Sequence, residues 1–379
     1  MMAESARRGG YATTALDVFG DADTRRAADA WTCIGAASSL RLDADRLADA
    51  LAACARSRNF IGWVAGAGFE AAPGALARGA AIAPLIGNPP HVIDAIRLPR
   101  DFFRRLAALG IGHPVVASEA PNDRDGWLRK DARGSGGWHI RRASGRNRAH
   151  QEVDEHVYYQ RVHAGIPMSA LFIANGKLAH VVGINELIVQ ERGARPYVYH
   201  GAIGPVATGA KVLDDIRACV GGIAREWGLV GLNGIDFLLD DERIVVLEVN
   251  ARPTATIGLY DETLPRGAIR AHVEACLSGS LELETASVEA NGCLRGHSIV
   301  FADEEVRTFE RDTCERIIAL TFAHDVPMPG TSIPKGAPLC SISAEGLSGA
   351  EVRAALDARA RQVVTMVARA SSAAHPTRG

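Results

Sequence analysis

The residues of this chain best placed to do chemistry lie between Gly231 and Arg252, in GLNGIDFLLDDERIVVLEVNAR. Two apolar runs flank the polar Asp241-Glu242-Arg243, the pattern of two strands joined by a short loop. With a loop of those three residues, Asp240 faces Ile244 and Asp236 faces Glu248 across the ladder. Side chains alternate along a strand, so Glu248, Asn250 and Arg252 share one face and Asp236 joins them. Opposed carboxylates repel, and a hard divalent cation removes that cost. Mg²⁺ takes oxygen ligands at about 2.0–2.1 Å and typically bridges one or two carboxylates to nucleotide phosphates. A surface hairpin with solvated acids is the plain alternative for any one of these residues. It fits the set poorly, because Glu248 ends the apolar run Ile244–Leu247 and shares its face with an amide and a guanidinium.

A second group precedes it. Trp127-Leu128-Arg129-Lys130 reads as a strand, Gly134-Ser135-Gly136-Gly137 as a flexible loop, and Trp138-His139-Ile140 as a returning strand. Glycines let backbone N–H groups approach phosphate oxygens, and Lys130 adds a point charge. The order is not that of a Walker loop, since the lysine comes before the glycines. A plain glycine hairpin is the alternative. Gly66-Ala67-Gly68 follows another apolar run, but residue 71 is Ala and Pro73 is expected to keep a helix from following promptly. A dinucleotide fingerprint is therefore poor and a tight strand-end turn fits better, with a place for Gly68 or Glu70 near a substrate left open.

The acid on one strand and the Glu-x-Asn-x-Arg run on the next resemble the metal-binding end of ATP-grasp enzymes. The resemblance implies that Asp236, Glu248 and Asn250 hold Mg²⁺ or Mn²⁺ and, through it, the phosphates of ATP. It implies that Lys130 and the loop Gly134, Ser135, Gly136, Gly137 hold phosphate, the loop closing as a lid. It places the hinge Gln160, Arg161, Val162, His163 along the adenine edge, mainly through backbone groups. A basic residue near the second helix reaches ATP in that family; here Arg97 and Arg100 compete for the part, where the family has Lys. Arg252, whose guanidinium offers a fixed donor fork, is assigned with Lys130 to catalysis, stabilising an acyl phosphate and the later oxyanion.

The implied reaction is ATP-dependent ligation of a small-molecule carboxylate to an amine. An ATP-grasp enzyme with another acceptor, carboxylase- or kinase-like, and a nucleotide-binding regulatory protein without turnover are the other readings. A biotin carboxylase proper fits less well, since the chain is short and carries no biotin-carrier motif. The layout, with LDVFGDADT and GFE, looks most like carboligases of one-carbon pathways linked to tetrahydromethanopterin and methylofuran, which suggests glutamate or tyramine as substrates. A homodimer is a further expectation of the resemblance.

The elements that must position these groups follow from the rest of the chain. Apolar runs at Thr14–Phe19, Phe60–Ala65 and Ile82–Ile86 alternate with helical stretches at 3–10 and Asp43–Arg56, which predicts a small parallel α/β lobe over residues 1–90. Such a unit normally opens on a strand, so the double methionine suggests a start that skips the first one. Residues 91–290 form the expected ATP-grasp domain. It holds helices at His91–Ile96 and Arg100–Leu109, strands at Pro114–Val116 and Glu155–Val162, and a hairpin about Asn175-Gly176. A strand at Tyr197–His200, an amphipathic helix at Ala210–Trp227 and a helix at Glu262–Leu277 complete it. The polar 279–292 marks a boundary. Residues 291–379 form a small β-rich lobe with strands at Leu294–Ala302, Ile317–Phe322 and Ala337–Ser341, a closing helix at Ser348–Ala370 and a disordered tail from 374. The fold class is α/β (α+β).

Net charge is -2, which gives no broad attraction to nucleic acid or anionic membrane, and no apolar run approaches a membrane span. The N-terminus lacks the apolar core of a secretion signal. The 7 cysteines are scattered without a C-x-x-C pair, which suits reduced thiols in a cytoplasmic protein.

Overall fold

The computed structural model describes residues 1–36, 41–143, 154–281 and 292–373. The hairpin that carries the acids is present. Strands Val230–Asp240 and Arg243–Asn250 pair antiparallel, with Asp236 opposite Glu248. The expected loop is one residue too long, however. Asp240 faces Arg243, to which it is bridged at 2.5 Å, and Leu239 rather than Asp240 faces Ile244. The tight turn is allowed by Asp241 at φ 54, a backbone region that Asp tolerates better than most residues. A bulge between Asp236 and Phe237 then restores the register, so two offsets cancel at the acid pair.

This hairpin is the edge of an eight-stranded sheet that also contains Ile166–Asn175, Ala179–Arg192, Arg195–Gly204, Leu294–Phe301, Pro338–Gly346 and Ala323–His324, in that spatial order. All its pairings are antiparallel. One face buries Ala170, Phe172, Phe237 and Val246 against Ile216, Val220 and Ile223 of the helix Ala210–Trp227. Burying a side chain of that size contributes about 1.5–3 kcal/mol. That helix ends where Gly228 takes the left-handed conformation, φ 64, and turns the chain into the hairpin. The other face carries Leu171, Ile173 and Leu232, packed against Tyr260, Leu264 and the helix Ala268–Leu277. Asp236 and Glu248 lie on this second face by alternation.

A smaller sheet of Val116–Ala117, Val157–Arg161, Trp127–Asp131 and Arg141–Arg142 holds the glycine loop. The expected returning strand at 138–140 is a turn, and pairing begins only at Arg141. The cause is the φ +60 of Gly136 and +75 of Gly137, which fold the chain back on itself.

In the N-terminal lobe, Thr14–Asp17 pairs parallel with Ala30–Cys33, and Asp43 caps Ala44–Cys54 by accepting from Asp45 N at 3.0 Å and Arg46 N at 3.1 Å. The strands expected at 60–65 and 82–86 shrink to a single parallel bridge, Trp63 to Leu85. Gly62 stands at φ 146 with Pro84 O 2.6 Å from where a Cβ would sit, so the two runs meet by close backbone approach rather than by an extended ladder. Pro73, expected to delay a helix, instead begins one, Pro73–Ile82, at the position where its missing N–H costs nothing.

Two further corrections concern the later chain. The helix expected from Glu262 starts at Ala268. The apolar run Ile317–Phe322 is not a strand: it straddles the end of the helix Arg311–Ile318 and the turn after it, and that helix buries Thr313, Cys314 and, one turn on, Ile317. The closing helix spans Gly349–Ala373 and buries Val352, Leu356, Val363 and Val367. The boundary at 279–292 and the tail from 374 lie mostly or wholly outside the described residues. All seven cysteines are free. Among the described residues, no helix is long and apolar enough to cross a membrane.

Candidate active site

The acid pair is the centre of a continuous polar network. Asp236 and Glu248 are both half-buried. Burial, and next the facing Glu248, push the Asp236 carboxyl well above the usual carboxylate range. Burial acts on Glu248 in the same direction, but Arg97, Lys130 and His139 outweigh it and hold that carboxyl below its ordinary value. The favoured state is a protonated Asp236 beside an ionised Glu248. Two opposed acids that do not both ionise alone fit a hard divalent cation, which would let Asp236 ionise as well. Among the described residues, no group of three or more His, Cys, Asp or Glu could hold a metal, so a cation here would rest on this pair and on other oxygens.

Asn250 is the next member. Its Nδ2 donates to Asp236 Oδ2 at 3.2 Å, while its Oδ1 accepts from Arg97 Nη2 at 3.5 Å and Arg252 Nη2 at 3.4 Å. In this arrangement the amide supports Asp236 and turns its oxygen to the guanidinium groups. It could offer that oxygen to a metal only by rotating.

The two arginines converge on Glu70. Arg97 Nη2 donates to Glu70 Oε1 at 3.3 Å, and Arg252 Nε donates to the same oxygen. Glu70 Oε2 accepts from the N–H of Gly68 at 3.0 Å. Burial works to raise the Glu70 carboxyl, and Arg252 and Arg97 together hold it below its ordinary value. A cavity of about 10 Å³, room for roughly one water, lies among Gly66, Phe69, Glu70, Arg97 and Arg252. Arg97 Nη1 also donates to Ala132 O at 2.9 Å, which ties it to the smaller sheet. Arg100, by contrast, is exposed on its helix. Of the two arginines weighed for contact with ATP, Arg97 is the one brought to the acid pair.

Lys130 is buried and donates to Gln160 Oε1 at 3.1 Å. Leu128 pairs with Gln160 and Lys130 with Tyr158, so all four share one face of the smaller sheet. The lysine is thus held by two neutral side chains, Gln160 and Tyr158, whose ring centroid lies 5.8 Å from Nζ, and its charge acts on Glu248; phosphate would be a stronger partner for a buried ammonium. The loop 134–137 reaches across to the large sheet, where Gly136 O accepts from Tyr199 N at 3.0 Å. A Cβ on Gly137 would stand 1.7 Å from Tyr197 O. The hinge is less simple than expected. Arg161 and Val162 are exposed and their N–H groups donate to Val115 O and Gly126 O, both at 2.8 Å. A purine would have to use their carbonyl oxygens. His163 is exposed, with Nδ1 at 2.7 Å from Ala164 O.

Sequence spacing leaves part of this network unmarked. His139 follows the glycine loop, its Nδ1 buried without a hydrogen-bond partner among the described residues, and burial lowers its pKa against the opposing pull of Glu248. Arg97 and Glu70 stand in the sequence only as candidates. Glu70 and Arg252 are 182 residues apart, and no spacing pattern links them.

Residues 100–256 match the family model for the ATP-grasp domain. L-amino acid ligase from Bacillus licheniformis superimposes with a TM-score of 0.65 at 16% identity, over 96% of this chain and 93% of that one. Biotin carboxylase from Campylobacter jejuni gives 0.67 at 13%, over 93% and 86%. N5-carboxyaminoimidazole ribonucleotide synthetase from Thermus thermophilus gives 0.66 at 13%, over 97% and 94%. Among curated proteins, the carbamoyl phosphate synthase large chain of Thermoplasma volcanium is 26% identical over 121 residues, 32% of this chain but only 11% of its own length. The fold is therefore that of ATP-grasp proteins, in the biotin-carboxylase-like arrangement, with an N-terminal α/β lobe and a β-rich C-terminal lobe.

Proposed function

We propose that this chain, an ATP-grasp protein by fold, is an ATP-dependent ligase that joins a carboxylate to an amine through an acyl phosphate. The observation that carries this reading is the half-buried Asp236–Glu248 pair with Lys130 and Arg252 drawn to it. Under it, residues 1–90, 91–290 and 291–379 act as the three lobes, with nucleotide between them. Asp236 and Glu248 would hold Mg²⁺ or Mn²⁺, joined by Asn250 once its amide turns. Bound Mg-ATP supplies the phosphoryl group and the charge that offsets the β and γ oxygens.

The chain's own residues do the rest. Lys130, released from Gln160, binds phosphate. The loop Gly134, Ser135, Gly136, Gly137 excludes water, without which the acyl phosphate would hydrolyse. Arg252 steadies the oxygens of the carboxylate and of the oxyanion formed when the amine attacks. Gln160, Arg161, Val162 and His163 border the adenine. Arg100 is left with at most an indirect part.

The L-amino acid ligase among the similar structures supports an amine as acceptor. Biotin carboxylase and the carboxyaminoimidazole ribonucleotide synthetases, equally similar in fold, favour a carboxylase-like second reading. No protein named above is tied to tetrahydromethanopterin or methylofuran chemistry, and glutamate and tyramine enter only as two members of a screen. A homodimer and a cytoplasmic setting belong to the same proposal, the former supported by a biotin carboxylase domain dimer of similar fold.

The test is an ADP-release screen of acids and amines, alone and paired, with Mg²⁺. Release that needs both partners supports the ligase. Release with bicarbonate or another non-amine acceptor moves the assignment to a carboxylase- or kinase-like enzyme. Tight ATP binding without ADP in any mixture points to a regulatory protein.

A further inference from the structure

Arg252 comes to the site two residues past the strand Arg243–Asn250 and ahead of the helical turn Ala255–Leu259. A guanidinium so placed can present either its Nε edge or its Nη1–Nη2 edge to a ligand, and only one choice gives a two-pronged grip on a carboxylate or phosphate from the Nη pair. The structure makes that choice. Glu70 receives the Nε–H of Arg252 and, on the same oxygen, Arg97 Nη2. Glu70 is in turn fixed through its second oxygen by the Gly68 N–H, and Gly68 stands at φ +101, a conformation that suits glycine. Its side chain is 5% exposed, against 12% for Arg252. With Nε taken, the other edge of Arg252 donates, among the described residues, from Nη1 to Pro253 O at 3.2 Å and from Nη2 to Asn250 Oδ1 at 3.4 Å, two uncharged acceptors that a ligand carboxylate would replace.

We infer that Glu70 is a positioning residue of the N-terminal lobe that pins the Nε edge of Arg252, so that its Nη1–Nη2 edge faces a substrate carboxylate, and that sets Arg97 beside it. This deepens, and for its kinetic part rests on, the ligase reading of the same site. It gives the GFE run a purpose that its sequence context did not show.

Two measurements test it. In protein labelled with ¹⁵N-arginine, the Arg252 Nε–H, assigned by its loss in Arg252→Lys, should give a protected resonance that disappears or shifts strongly in Glu70→Gln. In steady-state kinetics, Glu70→Gln should lower kcat/KM for the carboxylate roughly 10–100-fold, the size expected for a misplaced binding group, while the KM for ATP stays within about twofold. Arg252→Lys should lose as much, and the double variant no more. Glu70→Asp, which keeps the charge but withdraws it, should behave like Glu70→Gln in both measurements and serves if the latter does not fold. An unchanged Nε–H resonance in the Glu70 variants overturns the inference, as does an equal loss toward ATP and carboxylate. If the wild-type protein consumes ATP with no acid at all, the ligase reading fails, and the resonance still decides what Glu70 does.

Discussion

Asp236 and Glu248 stand directly opposite each other on neighbouring strands, yet their surroundings treat them oppositely: Arg97, Lys130 and His139 outweigh burial at Glu248, while at Asp236 burial and the facing Glu248 outweigh the pull of Arg252 and the hydrogen bond from Asn250. Substitutions at the two positions should therefore part company.

Asp236→Asn removes one of two opposed carboxyls and keeps its shape. Thermal stability without cation should be unchanged or slightly higher, within about 1 kcal/mol. Glu248→Gln leaves cationic groups without their counter-charge and should cost about 1–3 kcal/mol. Both should lose nearly all turnover. Denaturation of the two variants in the presence of chelator checks the contrast; equal destabilisation would count against it.

The glycine loop offers a second contrast. Gly137→Ala would put a methyl 1.7 Å from Tyr197 O at φ +75, so the loop cannot dock as it does here. At Gly136 the first contact is Trp138 Cδ1 at 3.4 Å, and the cost is mainly that of φ +60, about 1 kcal/mol. Gly137→Ala should raise the KM for ATP at least about tenfold and Gly136→Ala only modestly. Similar values for the two would mean that the docked loop is not the one used in turnover.

A third prediction concerns acid. His272 is buried, its Nδ1 accepting from Leu232 N at 2.8 Å and its Nε2 donating to Ile86 O at 2.9 Å, so it is held neutral, and burial brings its pKa down to about 4. Its ordinary value is about 6.5. Below that value the unfolded chain takes up a proton that the folded chain refuses. Stability is therefore fully present above about pH 6.5 and falls as the pH drops toward about 4, by at most about 3 kcal/mol from this residue. His272→Gln, which can accept and donate in the same directions, should flatten the pH dependence of urea midpoints in that window. An equally steep curve would place the acid sensitivity elsewhere.

Sequence reading reached the acid pair because alternation along two strands needs only local information. It mistook the turn length, and the bulge beside Asp236 hid the error. Pro73 looked like a breaker because its effect depends on whether it begins a helix or interrupts one, which composition alone does not say. Ile317–Phe322 looked like a strand because a helix end and its following turn place apolar residues at near-alternate positions. Glu70, Arg97 and His139 were hardest to see. Each joins the site through contacts between distant parts of the chain, and a lone acid, arginine or histidine in the sequence carries no mark of that.

The claim on which the account rests is that the Asp236–Glu248 pair grips a divalent cation and, with it, nucleotide. Calorimetric titration of ATP into wild-type protein and Glu248→Ala, each with Mg²⁺ and with chelator, tests it most directly. The wild type should bind ATP at least about tenfold more tightly with Mg²⁺ than without, and Glu248→Ala should lose that difference while keeping its fold by circular dichroism. A variant that binds Mg-ATP as tightly as the wild type, with the same dependence on the cation, would contradict the assignment.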